Sequence, residues 1–116
     1  MTERIRWKKI KYLVTSLLRK DVQIHLTTSL TNVVAFICEE DNQVKILISS
    51  MRCKTEEEVI VAIAHEISHV QAKTNDHTNE FYEQMDKNIS FFEKELNLLN
   101  LRDIIPRLEG DGGVST

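Results

Sequence analysis

The stretch 64-AHEISHVQAKTNDHTNEF-81 holds three of the chain's four histidines and a break between two helical patterns. Upstream, Thr55 followed by Glu58 forms a T-x-x-E capping box, with Glu56 and Glu57 suited to the positive end of a helix. The helix it opens is expected to run to about Ala72, where TNDHTN supplies turn formers. From Asn79 a second pattern places Phe81, Met85, Ile89, Phe92, Leu96 and Leu99 at intervals of three and four, a long helix with one apolar stripe. The quoted stretch is therefore a joint between two helices, with histidines on both sides of it.

At 100° per residue the first helix separates into faces. Val59, Ile60, Ile63, Ile67 and Val70 cluster toward a core. His65 and His69 lie nearly opposite, beside Val61 and Ala62, as on the floor of a cleft covered on one flank. Residues four apart on a helix bring their Cβ atoms to roughly 5–6 Å, so two imidazoles can share one tetrahedral Zn²⁺. Glu66 projects about 60° from His69, close to such an ion yet turned off the ligand direction. That is where a carboxylate can act as general base on a water. A catalytic zinc usually takes three protein ligands and keeps an open position. His77, beyond the turn, is the first choice for the third, since another imidazole keeps the site less negative. Asp76, Glu80 and Glu83 compete for the place.

The rest of the chain supplies the frame. Residues 4–19 read as an amphipathic helix carrying Ile5, Ile10, Leu13 and Leu17 on its apolar side, with Trp7 as a core residue. VQIHL (22–26) alternates as a half-buried strand. VVAFIC (33–38) and QVKILIS (43–49) form a hairpin across EEDN. The order α-β-β-β-α-α predicts an α+β fold: an N-terminal helix, a three-stranded and mostly antiparallel sheet, the histidine-bearing helix and a long backing helix. With 116 residues, 41% of them hydrophobic, the chain is one domain over 1–108, and EGDGGVST places a flexible tail at 109–116. The apolar runs VVAFIC and VIVAIA are too short to span a bilayer, so no membrane association is expected. Two cysteines make no disulfide framework, which points to a reducing, cytoplasmic setting. Cys38 is expected to be a buried thiol, and Cys53 could block a metal in a latent form. His25 reads as a surface or structural histidine.

Charge is uneven: residues 1–20 carry seven Lys or Arg and one Glu, net +6, against −9 for the rest. A solvated helix face pairing with the acidic remainder is the simpler reading. Contact with DNA, aided by Trp7 and Tyr12 as stacking groups, is the other.

HEISH…DHTNEFYEQM resembles the H-E-x-x-H…H-x-x-x-F pattern of small zincin metallopeptidases, namely the SprT-like, WLM and YgjP-like proteins and the one-domain minigluzincins. The resemblance covers roughly residues 33–101, and its sharp part some twenty. Seven residues separate His69 from His77, more than in WLM and YgjP-like proteins, and the glycine of the metzincin signature is missing. It implies a zincin-like fold and a zinc-dependent peptidase acting on peptide or protein substrates. His65, His69 and His77 would be the ligands, Phe81 would pack behind the third, and Glu66 would be the catalytic base. It also implies an extended substrate on an edge strand, 33–38 or 43–49, and it strengthens the DNA expectation. Tyr82 could steady an oxyanion, though its place beside Phe81 favours packing. A non-catalytic zinc domain for protein or DNA interaction is the alternative.

Overall fold

The computed structural model describes residues 4–105, so the tail expected at 109–116 and the boundary at 108 lie outside the described residues. The elements run α1 (Trp7–Leu18), β1 (Asp21–Thr27), β2 (Ala35–Glu40), β3 (Gln43–Ser49), α2 (Glu56–Ala72), α3 (Asn79–Leu96) and a short 3-10 turn, Leu101–Asp103. The class is α+β, as the pattern predicts. No helix among the described residues is long and apolar enough to cross a membrane.

The sheet departs from expectation. Its order is β1-β3-β2, with β1 parallel to β3 and β2 antiparallel to it, so it is mixed rather than mostly antiparallel. The cause is burial: Val44, Ile46 and Ile48 of β3 are fully buried, so β3 takes the centre. The segment 28–34 carries the chain from β1 to the far edge, and the hairpin returns it to the middle. Rows such as Ile24–Ile46–Ile37 then face the helices. The hairpin turn is only Asp41-Asn42, with Asp41 at φ 50°, so Glu39 and Glu40 continue β2 instead of forming a linker. Cys38 pairs with Lys45 on the opposite face and is exposed, which corrects its expected burial. It is one residue out of phase with inward-facing Ile37.

Helix α1 starts three residues later than its hydrophobic pattern suggests. Both the backbone N–H of Arg6 and its guanidinium donate to the Glu56 carboxylate, at 2.7–2.9 Å, which draws Arg6 out of helical geometry. The same guanidinium reaches the Leu96 carbonyl at 3.0 Å, tying the entrance of α1 to the start of α2 and the end of α3. At the other end, α3 stops at Asn97 in a left-handed conformation (φ 56°). Leu99 therefore leaves the apolar stripe and is 82% exposed, while Leu101 fills the core instead. Arg102 holds this last segment against Asp86, Ser90 and Glu93.

The α2 capping box forms: Glu58 N–H donates to Thr55 Oγ1 at 3.1 Å, and Thr55 N–H returns to Glu58 Oε1 at 3.1 Å. Beyond it, every residue from Val59 to His69 is buried, because α1, β2, β3 and α3 all pack around this helix. The histidine face, expected to be open on one flank, is covered except where His69 lines a groove against α1 and β2.

The Arg6–Glu56 clip gives a pH-dependent test. Hydrogen bonding to Arg6 holds the Glu56 carboxyl below its ordinary range, against the opposing effect of burial. A carboxyl depressed on folding stabilises above its unfolded pKa and loses that contribution as pH falls through the folded value. Arg6→Gln should lower stability by about 1–2 kcal/mol at pH 7, discounted for the exposure of Arg6. Urea denaturation across pH 2–7 should show the gap to the native chain closing toward the acid end.

Candidate metal centre

Two devices turn the histidines of α2 toward one point. Lys73 caps the helix in a left-handed conformation, returning its N–H to Val70 O while Thr74 N–H bonds His69 O. This tight exit brings the Thr74 carbonyl over the ring of His69, whose Nδ1–H donates to it at 3.0 Å. A carbonyl only accepts, so the proton sits on Nδ1 and Nε2 keeps its lone pair. That Nε2 stands 3.2 Å from Nε2 of His65. Two nitrogens roughly 2.0–2.1 Å from one tetrahedral centre stand about 3.3–3.4 Å apart, so the spacing suits a shared cation.

His77 joins them from the connection just ahead of α3. Thr78 caps that helix, its hydroxyl accepting from Phe81 N–H at 3.2 Å, and this fixes His77 one residue before the cap. A ligand atom from each of His65, His69 and His77 lies within 4.8 Å of the other two. Nε2 of His77 is buried and is the one such side-chain atom without a hydrogen-bond partner among the described residues. A buried imidazole nitrogen with nothing to bond is costly, and a cation between the three rings would satisfy it. The donor set of three imidazoles suits zinc.

Electrostatics point the same way. Burial pushes His65 down to about 3, reinforced by His69 and His77. Burial also lowers His69, partly offset by the Thr74 carbonyl. Both rings are therefore neutral near pH 7 and can offer lone pairs without first losing a proton.

Phe81 is the common floor. It is fully buried, with ring centroids 5.1, 4.4 and 4.7 Å from His65, His69 and His77. Behind α2, a buried polar chain fixes how α3 meets it. Ser68 Oγ–H donates to Ala64 O at 2.6 Å, and Asn88 Nδ2 donates to Ser68 Oγ at 2.9 Å and to Gln71 Oε1 at 2.7 Å. Ser68 lies inside the HEISH motif, and the apolar stripe of α3 concealed Asn88. Its only sequence signal is position, seven residues after Phe81 and so on the same helical face.

No family model, curated protein or solved structure matches this chain.

The remaining candidates fall around the cluster. Glu66 is 4% exposed, so it lies inside the packed helix rather than on an open rim. Asp76, Glu80 and Glu83, the competing third ligands, are exposed and outside the cluster among the described residues. Tyr82 is 51% exposed and edge-on to His77, which puts it at the rim and not in the core. Cys53 is buried, with its thiol pushed up to about 12 mainly by burial, and it is not in the cluster. A groove of about 670 Å³ opens from His69 between α1 and β2, lined by Leu17, Leu18, Ile37, Glu39 and Lys73.

Two measurements test this arrangement. By calorimetric titration with zinc, His77→Ala should weaken binding by more than the roughly 10–100-fold typical of losing a supporting residue. Asp76→Asn, Glu80→Gln and Glu83→Gln should each leave it near the native value. Phe81→Ala should lower unfolding free energy by about 3–5 kcal/mol in urea and weaken zinc binding as well.

Proposed function

We propose that this chain is a zinc-dependent peptidase of the zincin type. His65, His69 and His77 hold the ion, and Glu66 handles the proton. The observation that carries the reading is the stranded Nε2 of His77, on a ring that offers a ligand atom within 4.8 Å of those of two imidazoles already spaced for one tetrahedral centre. The resemblance of HEISH…DHTNEF to the zincin pattern supports the choice of reaction. When bound, zinc supplies Lewis acidity, lowering the pKa of a coordinated water from about 15.7 toward 7.

The chain's own groups do the rest. Glu66 takes a proton from the attacking water and delivers it to the departing amine. Burial keeps bulk water from competing for that proton. An extended substrate lies along β2, which is a sheet edge; β3, the other expected site for it, is central and already paired on both sides. Ile37 and Glu39 of β2 line the same groove as His69, so a strand added there passes His69 at the edge of the cluster.

The decisive experiment uses the full chain with stoichiometric zinc and a library of extended peptides read by mass spectrometry. Glu66→Gln should retain zinc and lose cleavage by about 10²–10⁴-fold. Zinc retained with no cleavage by the native chain would instead assign the metal a structural role in a binding domain.

A further inference from the structure

A second groove lies at the opposite edge of the sheet, beside β1, and shares no lining residue with the first. It measures about 420 Å³ and is lined by Trp7, Lys8 and Lys11 of α1 and by Gln23, Ile24 and His25 of β1. Three features define its chemistry. First, β1 pairs only with β3 among the described residues, so its outer edge offers unpaired backbone donors and acceptors along seven residues. Three consecutive residues of that edge form one wall of the groove. Second, the basic helix is only partly neutralised. Arg6 pairs with Glu56 and Lys20 with Glu39, but Lys8 and Lys11 have no ion-pair partner among the described residues. Third, the indole of Trp7, half-buried against the core, supplies an apolar surface between the charges and the strand.

We infer that this groove docks an extended acidic segment of another protein, added to β1 as a fourth strand. Side chains on one face of a strand repeat about every 6.6–6.8 Å. Lys8 and Lys11, one helical turn apart, stand roughly 5–6 Å apart at Cβ, so alternate carboxylates of such a segment meet successive ammonium groups. The backbone wall selects a peptide over a nucleic acid, because a phosphodiester chain has no regular N–H and C=O to pair with a strand edge. Charge selects a foreign segment over a second copy joined through the same edge, which would bring four ammonium groups together. The site is independent of the histidine cluster and holds whether or not the chain is a peptidase.

The test uses the 116-residue chain carrying Glu66→Gln, so that no probe is cleaved. The first probe is a fluorescent eight-residue peptide alternating Glu and Val. The second has Lys in place of Glu, and the third is a twelve-nucleotide oligothymidylate. The Glu peptide should bind, with affinity falling as salt rises, and should slow amide exchange within 21–27. Lys8→Glu/Lys11→Glu should weaken it at least tenfold with an unchanged melting temperature, and Lys8→Gln/Lys11→Gln should weaken it by less. Equal binding of the Lys peptide, tighter binding of the oligonucleotide, protection on β2 alone, or no binding at millimolar peptide would each overturn the assignment.

Discussion

The burial of α2 from Val59 to His69 is the constraint from which the rest of this structure follows. A helix containing His-Glu-Ile-Ser-His cannot be buried without giving its polar groups partners, because each unpaired one costs about 1–3 kcal/mol. The chain provides them one at a time. Glu56 is held by Arg6, Ser68 by Ala64 and Asn88, and His69 by Thr74. The orphan left among the described residues is Nε2 of His77, whose ring offers a ligand atom within 4.8 Å of those of the two imidazoles of α2. Where everything else has been provided for, an unsatisfied nitrogen at the meeting point of three rings reads as a place for a cation.

Packing and site geometry are carried by the same residues. Phe81 fills the core between α2 and α3 and also forms the surface against which all three imidazoles rest. Asn88 crosses between the same helices and fixes their rotation, so a slip of α3 would move Phe81 and His77 together. Two tight left-handed caps, at Lys73 and Asn97, bound the region in which this holds.

Placing β3 in the centre has consequences at both edges of the sheet. Among the described residues it leaves β2 free beside His69 and β1 free beside the lysines of α1. The two edges differ in charge: β2 ends in Glu39 and Glu40, and β1 lies under Lys8 and Lys11. The chain thus presents two strand edges of different character, one beside the histidine cluster and one beside cations that have no ion-pair partner among the described residues.

Element types, the capping box and the pairing of His65 with His69 could all be read from the sequence, because each depends on residues one to four apart. The polar face of α2 is covered more fully than its periodicity suggests, since periodicity shows which side is most apolar but not how far neighbours cover the other. The choice of His77 over Asp76, Glu80 and Glu83 could be ranked by chemistry, yet which of them points inward depends on the cap at Thr78 and on Phe81. Leu99 continues the apolar stripe by spacing alone, and Asn97 ends the helix before reaching it.

What the amino-acid order determined by itself was local: helices, strands, caps and a histidine pair at a ligand's spacing, all fixed by short-range sterics and hydrogen bonds. What only the tertiary structure decided was which strand is central, which face of each element is covered and where the third imidazole turns. Those outcomes rest on contacts between residues tens of positions apart. The alternation along a strand is the same whether its neighbour runs parallel or antiparallel, so no local pattern encodes them.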